Sequence, residues 1–367
     1  MLAGIQVRNF KSIKNLELQC KNLNLLTGTN SSGKSTICQA ILLAGQNLET
    51  AAGLNGSFLS LGELEENICK YSSEKEIQIE LEDSRGVTAS KSLYRGTDGR
   101  LGLKSSYGGS GAENVEEEFV CRFSRKERRL QYLSCHRTGP QNLYKKNMSI
   151  DESVGNDGEY AVSYLNRHGG DLLEEKLQKE KNDYTLLGQV NWWLEYITGA
   201  IIHTEEIPGA DSIKASYQMN ELSGIRPVNI GAGISYLISV LIACLSAPSE
   251  SVTIIENPEI HLHPGAQSRL CEFFYFIAES GRQLFIESHS DHIFNGFRAG
   301  IASGEMKETL IDIYFTYLND EHTTETIKVK VGKYGNIENQ RPDLFDQFDM
   351  DLNKMIGIQG QMYGFDF

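Results

Sequence analysis

The stretch of sequence that decides the fold reads Gly28-Thr29-Asn30-Ser31-Ser32-Gly33-Lys34-Ser35. It follows the short apolar run at residues 23–26 and precedes a helix-like run at residues 36–42. A strand, a glycine-containing loop and a helix in this order are typical of a phosphate-binding loop, in which backbone N–H groups and the helix dipole face the phosphates. The sequence therefore predicts that the chain binds a nucleoside triphosphate here.

Two side chains of this loop have distinct predicted roles. Lys34 reaches the β- and γ-phosphates, and Ser35 places its hydroxyl on Mg²⁺, which prefers oxygen ligands. The predicted nucleotide contacts of the loop are Gly28, Asn30, Ser32, Gly33, Lys34, Ser35 and Thr36.

The composition limits the classes of protein. A chain of 367 residues, 40% of them hydrophobic, can bury one large core or two modest ones. No apolar run approaches the roughly 20 residues of a membrane span, and the seven scattered cysteines lack CxxC spacing, so we expect a cytoplasmic protein without disulfides or a thiolate zinc site. A net charge of −14 opposes general affinity for nucleic acid, because phosphate contacts supply most non-specific binding to DNA.

Alternating apolar and polar residues in the N-terminal third predict strands. The alternation occurs at residues 5–10, 16–20 and 76–82, which indicates an antiparallel β-element beside the nucleotide core. Glycine, serine and charged residues accumulate from residue 83 to about residue 118. We interpret that segment as a partly mobile surface excursion.

Further along, the pattern changes to short buried runs and helices. Residues 130–134 are a candidate buried strand that ends in a polar turn at residues 135–140. Residues 172–181 read as a charged amphipathic helix, and residues 190–197 as a second helix whose aromatic side chains we expect in the core.

The second half of the chain has two strands with polar tips. The β-branched apolar run at residues 251–255 ends in Glu256, and a magnesium-nucleotide site needs such a carboxylate opposite its phosphate loop. A helix and a strand at residues 283–287 follow, and His289 lies at the tip of that strand. Because a strand, helix and strand of this kind form a right-handed parallel unit, both tips are expected at the same sheet edge as the loop.

The order of these features resembles a known family. A phosphate loop, a glycine-rich segment at residues 229–235, an acid-tipped strand at Glu256 and a histidine-tipped strand at His289 resemble the ABC-type ATPase heads of the RecF, SMC and OLD groups. Within that class the chain is most similar to the coil-free bacterial AAA family ATPases of anti-phage defence systems, of which residues 7–12 and 255–264 are typical. The resemblance implies an α/β P-loop head with a mostly parallel core sheet, an N-terminal antiparallel β subdomain and a helical subdomain.

We expect residues 1–367 to form a single ABC-type head built from both ends of the chain. Its expected parts are an N-terminal lobe with the phosphate loop (1–82), the surface excursion (83–129), a strand plus helical subdomain (130–228) and a C-terminal lobe (229–367).

Residue by residue, the resemblance also implies a catalytic site. Lys34 and Ser35 become the phosphate and Mg²⁺ contacts, Glu256 the acidic residue on the metal side, and His289 the γ-phosphate sensor. The signature loop would begin at Gly231 and include Gly233 and Ser235 as further nucleotide contacts. In this class that loop closes on ATP held by another subunit, so the resemblance implies a homodimer or higher oligomer that ATP assembles and hydrolysis reopens.

Two departures from the family pattern bear on catalysis. The usual Asp-Glu pair at the strand tip is replaced by Glu256-Asn257, and an amide cannot act as a general base. Hydrolysis is therefore expected to be slow, with Glu259 as the nearest substitute base. Gly231 replaces the signature serine, for which Ser235 or backbone N–H groups would compensate.

We expect the protein to lack two parts of related proteins, a long coiled-coil arm and an appended nuclease domain, and this expectation directs the functional hypothesis. No sustained heptad pattern separates the loop from the signature, and the roughly 67 residues after Gly300 are too few for an appended nuclease domain. The first hypothesis is an ATP-driven switch that controls a separately encoded nuclease or toxin in anti-phage defence. The alternatives are a RecF-like DNA-repair ATPase that binds duplex DNA directly, and a module that holds ATP without turnover.

Two residue clusters have rival interpretations. The first cluster consists of His261, His263, Glu287, His289, Asp291 and His292. Its imidazole and carboxylate groups are suitable ligands for a transition metal, whereas the alternative is that His261 and His263 position the turn after the acidic strand. The second cluster is basic and consists of Arg122, Arg125, Lys126, Arg128 and Arg129. It is either a surface exposed to solvent or a contact for nucleic acid or a protein partner.

Overall fold

The computed structural model describes residues 1–109, 114–150, 152–179, 181–341, 343–345 and 347–355. Its strands are β1 (Leu2–Phe10), β2 (Ile13–Gln19), β3 (Leu23–Gly28), β4 (Glu76–Asp83), β5 (Thr88–Arg95), β6 (Leu101–Gly108), β7 (Leu130–Leu133), β8 (Tyr144–Lys145), β9 (Ala200–Glu206), β10 (Ser212–Met219), β11 (Leu222–Ile225), β12 (Val252–Glu256), β13 (Gln283–Glu287), β14 (Ile311–Leu318) and β15 (Thr324–Lys328). Its α-helices are α1 (Lys34–Glu49), α2 (Leu64–Asn67), α3 (Val115–Phe123), α4 (Ala161–His168), α5 (Leu186–Thr198), α6 (Ala232–Leu245), α7 (Pro264–Glu279), α8 (Asp291–Ser303) and α9 (Gln347–Met355).

A five-stranded antiparallel sheet forms the N-terminal part, in the order β2-β1-β4-β5-β6. Alternate residues of β1 and β4, among them Ile5, Val7, Ile77 and Ile79, are buried in one core with α1. The period-two alternation of the sequence therefore does mark half-buried strands here, and the predicted antiparallel β-element is confirmed.

The prediction of a mobile surface excursion after residue 83 is wrong for β5 and β6. These two strands continue the sheet beyond β4, with Leu93 of β5 in register with Ile77 and Leu103. The buried face of β5 holds Ala89, Lys91 and Leu93, so a lysine stands at one of its three inward positions and hides the alternation in the sequence. Residues 110–113 of the predicted excursion lie outside the described residues.

A six-stranded sheet forms the core, in the order β15-β14-β3-β13-β12-β7. All neighbouring pairs are parallel except β14 and β15, which confirms the mostly parallel core sheet. Because β13 lies between β3 and β12, the carboxyl ends of these three strands meet at one edge. The phosphate loop follows β3 at this edge, where open α/β sheets place their ligands.

Helices α4, α5 and α6 pack together beside this core. Thr185 caps the start of α5 by accepting from the Gly188 N–H, and the predicted core position of its aromatics is confirmed for Trp193, which is 2% exposed. The helical subdomain also contains an antiparallel sheet that the sequence did not predict, in which β10 pairs with β8, β9 and β11. None of the helices in the described parts of the chain is long and apolar enough to cross a membrane.

The predicted amphipathic helix at residues 172–181 is wrong. Among residues 172–179 and 181, which the structure describes, the helical structure is limited to the 3₁₀ turn Glu175–Leu177. The backbone N–H of Leu173 instead donates to the carbonyl of Tyr184, and Leu172 forms a bridge with Thr185. These long-range backbone bonds use groups that a helix would need, so tertiary contacts override the local helical pattern.

Candidate nucleotide site

The backbone of the phosphate loop requires glycine at its first and sixth positions. Gly28 has φ +139°, and a Cβ there would overlap the carbonyl oxygen of Thr316 on β14. Gly33 has φ +106°, and its Cβ would overlap the hydroxyl of Thr324, which itself donates to the carbonyl of Ser32 at 2.9 Å. Two strands of the core sheet, β14 and β15, thus hold the loop in shape.

We expect Gly28→Ala to lower the free energy of unfolding by about 3 kcal/mol, because it combines a disfavoured φ with displacement of the Thr316 backbone. Gly99→Ala is the matched control, since Gly99 has φ +79° but open space around its Cα, and it should cost about 1 kcal/mol. Denaturant unfolding measures both values, and equal losses would show that contact with β14 is unimportant.

Lys34 and Ser35 begin α1 immediately after the loop. The Lys34 side chain is 2% exposed, and its ammonium donates to the carbonyls of Gly28 at 3.1 Å and Thr29 at 2.6 Å. Burial lowers the pKa of Lys34, and the charge of Glu287 opposes that shift. The Ser35 hydroxyl donates to Glu287 Oε1 at 2.6 Å.

The other predicted loop contacts differ in exposure. Asn30 is exposed, whereas Thr36 is buried in the first turn of α1. Ser32 is also buried, and its hydroxyl has no hydrogen-bond partner within the described structure. An unpaired buried hydroxyl is costly, so this position favours a bound polar group.

Glu287 is a site residue that the sequence analysis missed as a nucleotide-site group. It ends β13, is 3% exposed, and stands in register with Glu256 of β12 and Leu26 of β3. Burial raises the pKa of Glu287 to about 7, with the charge of Glu256 adding to the shift and the Ser35 hydroxyl and Lys34 opposing it. The position of Glu287 at a strand tip, two residues before His289, was the feature of the sequence that could have predicted its place in the site.

Glu256 ends β12, as predicted, and contacts the turn after β7. Its Oε2 accepts from the backbone N–H of Cys135 at 3.1 Å. Its backbone carbonyl accepts from the guanidinium of Arg137, which also binds the carbonyls of Ser134 and Asn257. Arg137 is 3% exposed and is a second residue that the sequence analysis did not single out.

Glu259 and His289 lie together at the same edge. Glu259 Oε1 accepts from the Ser288 hydroxyl at 2.7 Å and from the His289 N–H at 3.2 Å. Its Oε2 is buried without a partner among the described residues, and burial raises the pKa of its carboxyl. The pKa of His289 is lowered by burial and by the charge of Lys34, and both effects favour its neutral imidazole.

The predicted signature segment begins α6. Gly231 is the exposed residue immediately before that helix, while Gly233 packs so closely on His261 that a Cβ would contact its carbonyl. Ser235 is 5% exposed, one turn into the helix. Its hydroxyl has no hydrogen-bond partner within the described structure. A role of Ser235 or of backbone N–H groups in place of the signature serine stays a prediction.

The histidine cluster has structural contacts instead of a shared metal geometry. His263 caps α7 by accepting from the Gly265 N–H at 3.2 Å, and His261 packs against the ring of Tyr236. Across the described ranges, no three His, Cys, Asp or Glu side chains come together in a way that would hold a metal ion.

The four arginines of the basic cluster make contacts within the protein. Arg122 pairs with Asp83 and Glu118, and Arg125 lies over the ring of Phe58. Arg128 donates to the carbonyl of Ser246 and Arg129 to that of Ser249. These internal contacts give no support to direct DNA binding by this cluster.

The residues at this edge fit Mg²⁺ and a triphosphate. Mg²⁺ in phosphate sites is held by a hydroxyl, one or two carboxylates, phosphate oxygens and water, and Ser35, Glu256 and Glu287 supply that oxygen set. Glu287 Oε2 is buried with no hydrogen-bond partner within the described residues. Lys34 and the first N–H groups of α1 provide the positive charge and the hydrogen-bond donors that the phosphates require.

Solved structures share this fold. One is the crystal structure of the SmcHead bound to the C-winged helix domain of ScpA, with TM-score 0.58, 12% identity, and coverage of 90% of this chain and 98% of that chain. Another is the Smc head domain with an extended coiled coil, bound to the C-terminal domain of ScpA derived from Pyrococcus furiosus, with TM-score 0.54, 12% identity, and coverage of 97% and 99%. The fold is therefore that of an ABC-type ATPase head.

A family profile described as "AAA domain, putative AbiEii toxin, Type IV TA system" matches residues 23–295. The match covers well over half of the sequence and includes the phosphate loop, Glu256 and His289. The chain therefore belongs to this family. No curated protein is significantly similar to it in sequence.

Proposed function

We propose that this protein is an ATP-dependent switch. It binds ATP with Mg²⁺ at the loop of residues 28–36, pairs with a second copy around the nucleotide, hydrolyses ATP slowly and controls a separately encoded effector. The observation that carries the proposal is the meeting of Lys34, Ser35, Glu259 and Glu287 at one edge of a parallel sheet. Phosphoryl transfer depends mainly on such positioning and on compensation of charge.

Each side chain has a defined part in hydrolysis. When ATP binds, the Lys34 ammonium donates its hydrogen bonds to phosphate oxygens instead of to the loop carbonyls. The neutral imidazole of His289 donates a hydrogen bond to the γ-phosphate. Glu259 accepts the proton of the attacking water, because its Oε2 is unpaired and its pKa is raised by burial. When bound, Mg²⁺ supplies the charge that neutralises the β- and γ-phosphate oxygens.

Asn257 supports the expectation of slow turnover. Its backbone has φ +43°, its N–H donates to the Glu287 carbonyl at 2.8 Å, and its carbonyl accepts from Arg137. The residue thus shapes the turn that carries Glu259, and its side-chain amide cannot take up a proton.

The comparisons support a role in controlling another protein. The family description names a toxin of a type IV toxin-antitoxin system, and both SMC heads are described as bound to ScpA. We infer that this chain likewise transmits its nucleotide state to a protein partner, a nuclease or toxin of bacterial anti-phage defence.

Light-scattering mass with and without Mg-ATP, together with phosphate release, tests the switch. We expect the mass to rise from 41.0 kDa to about twice that value on adding Mg-ATP, with slow phosphate release. The exposed Gly231 before α6 is the expected contact with the second copy. A constant mass with rapid release would contradict the switch and indicate an ATPase that acts without nucleotide-driven assembly.

A further inference from the structure

Arg137 is a buried cation whose hydrogen bonds within the described structure go to backbone carbonyls. It lies in the turn after β7 and is 3% exposed. One Nη donates to the carbonyls of Ser134, at 2.8 Å, and of Glu256, and the other donates to the carbonyl of Asn257. Burial lowers the pKa of Arg137, and the charge of Glu259 is the largest of those that oppose the shift. A buried charge is costly unless it is compensated, and an apolar side chain would fill the same space without that cost.

The carbonyls that Arg137 binds begin the turn that carries Glu259. The carbonyl of Asn257 also accepts from the N–H of Ile260 at 3.3 Å. This bond closes a four-residue turn that has Pro258 and Glu259 at its centre. Asn257 has φ +43°, a conformation that residues other than glycine seldom adopt. Such a backbone persists when its surroundings hold it, and the guanidinium binds the carbonyl on which the turn closes.

The turn that carries Arg137 is itself anchored to a neighbouring segment. The N–H of Ser134 donates to the carbonyl of Asn156 at 2.8 Å, and the N–H of Thr138 donates to the carbonyl of Asp157 at 2.7 Å. The Ser134 hydroxyl donates to the carboxylate of Asp157. The guanidinium therefore extends from a fixed support to the turn after β12.

Glu259 is held on its other side by the residues that follow β13. Its Oε1 accepts from the Ser288 hydroxyl at 2.7 Å and from the His289 N–H at 3.2 Å. Its Oε2 is buried and has no hydrogen-bond partner in the described parts of the chain. With the backbone fixed by Arg137 and one oxygen fixed by β13, the second oxygen is preorganised to accept a proton at a defined place.

We propose that Arg137 is a positioning residue for ATP hydrolysis, whose guanidinium fixes the turn that directs Glu259 toward the γ-phosphate. Arg137 acts through Glu259 and does not itself contact the reacting atoms. This inference rests on the proposed function, in which Glu259 accepts the proton of the attacking water. Arginine suits the position because its planar fork binds two successive carbonyls at once, whereas lysine has a single ammonium on a flexible chain.

Arg137→Lys in the full-length chain tests this role, because it keeps the positive charge and removes the fork. Phosphate release at saturating Mg-ATP gives kcat, and titration of a non-hydrolysable ATP analogue gives the affinity. We expect kcat to fall about a hundredfold, as it does when a catalytic group is displaced by about 1 Å, while the affinity stays within about threefold. A kcat within about threefold of wild type, or equal losses of kcat and affinity, would overturn the proposal.

Arg282→Lys is the matched control. Arg282 is 2% exposed, and its guanidinium likewise binds backbone carbonyls, those of Ala247 and Ser280. It immediately precedes β13, at the opposite end of that strand from the site. Melting temperatures report the stability that each variant loses, and Arg282→Lys should keep kcat within about twofold. An equal loss of kcat in Arg282→Lys would show that any loosening of a buried arginine slows turnover, which would refute a specific role of Arg137.

A double variant separates action through Glu259 from an independent effect. Single-turnover hydrolysis of radiolabelled ATP measures the slow rates. Arg137→Lys combined with Glu259→Gln should be at most about threefold slower than Glu259→Gln alone, because both changes remove the same contribution. A further loss of about a hundredfold would refute the proposal, since it would place the effect of Arg137 elsewhere.

Ser134→Ala keeps the proposal testable if Arg137→Lys does not fold. It removes the hydroxyl that anchors the turn to Asp157, so kcat should fall about tenfold at unchanged analogue affinity, and an unchanged kcat would overturn the proposal. If the wild-type chain binds no nucleotide or releases no phosphate, the proposed function fails and this inference fails with it. Wild-type hydrolysis that Arg137→Lys leaves unchanged would refute the inference alone.

Discussion

Lys34→Ala is expected to lower the affinity for ATP about a thousandfold and to abolish the ATP-linked rise in mass. In the structure the Lys34 ammonium is buried and donates to the loop carbonyls of Gly28 and Thr29. In the proposed complex with ATP, the Lys34 ammonium would donate to the β- and γ-phosphates instead. Each hydrogen bond between charged groups contributes about 1.5–3 kcal/mol, so the loss of two accounts for about three powers of ten in affinity.

Calorimetric titration with Mg-ATP measures this loss. Lys14→Ala is the matched control, since Lys14 is exposed on β2 and pairs with Glu321 at 3.4 Å. Its removal should leave the affinity unchanged, because exposed ion pairs contribute little. Tight ATP binding by Lys34→Ala would refute the assignment of the phosphate loop.

Glu259→Gln is expected to lower the rate of phosphate release about a thousandfold while ATP binding is retained. The amide oxygen still accepts from Ser288 and His289, so the turn keeps its position. The amide cannot accept a proton from water, and a lost general base costs between 10² and 10⁴ in rate. The variant should therefore accumulate in the ATP-bound, higher-mass form.

Asn257→Gly is the control for this substitution. Asn257 has φ +43°, which glycine adopts without strain, so the turn is preserved while the side-chain amide is removed. Turnover should stay within about threefold of the wild-type rate. Wild-type turnover in Glu259→Gln would exclude Glu259 as the base, and no measurable turnover in the wild-type chain would favour a module that holds ATP without hydrolysis.

The phosphate loop and the core strands were predictable because their signals are local. The loop requires glycine at fixed positions, and the buried parallel strands β12 and β13 each have a short apolar run before their terminal glutamate. The order of the motifs along the chain was sufficient to predict the class of fold and to place Lys34, Ser35 and His289 at one sheet edge.

Other elements depend on contacts that no local pattern reveals. Strand β5 buries Lys91, whose ammonium donates to Ser105 and Tyr107 on β6 at 2.9 Å each. Because of this lysine, the sequence of β5 does not show the apolar alternation that predicts a strand. The segment at residues 172–181 has helical periodicity, but its backbone binds Tyr184 and Thr185. In both cases a partner distant along the chain decides the conformation.

By itself, the sequence determined the phosphate loop, the parallel core and the positions of Glu256 and His289 at strand tips, because backbone geometry and strand periodicity depend on neighbouring residues. Only the tertiary structure decided which acid contacts which group. The order of strands places β13 beside β3, so Glu287 and not Glu256 meets Ser35, while Arg137 and Cys135 hold Glu256 from the far side. Side-chain direction at a sheet edge depends on which strands are neighbours, and that is fixed only when the sheet assembles.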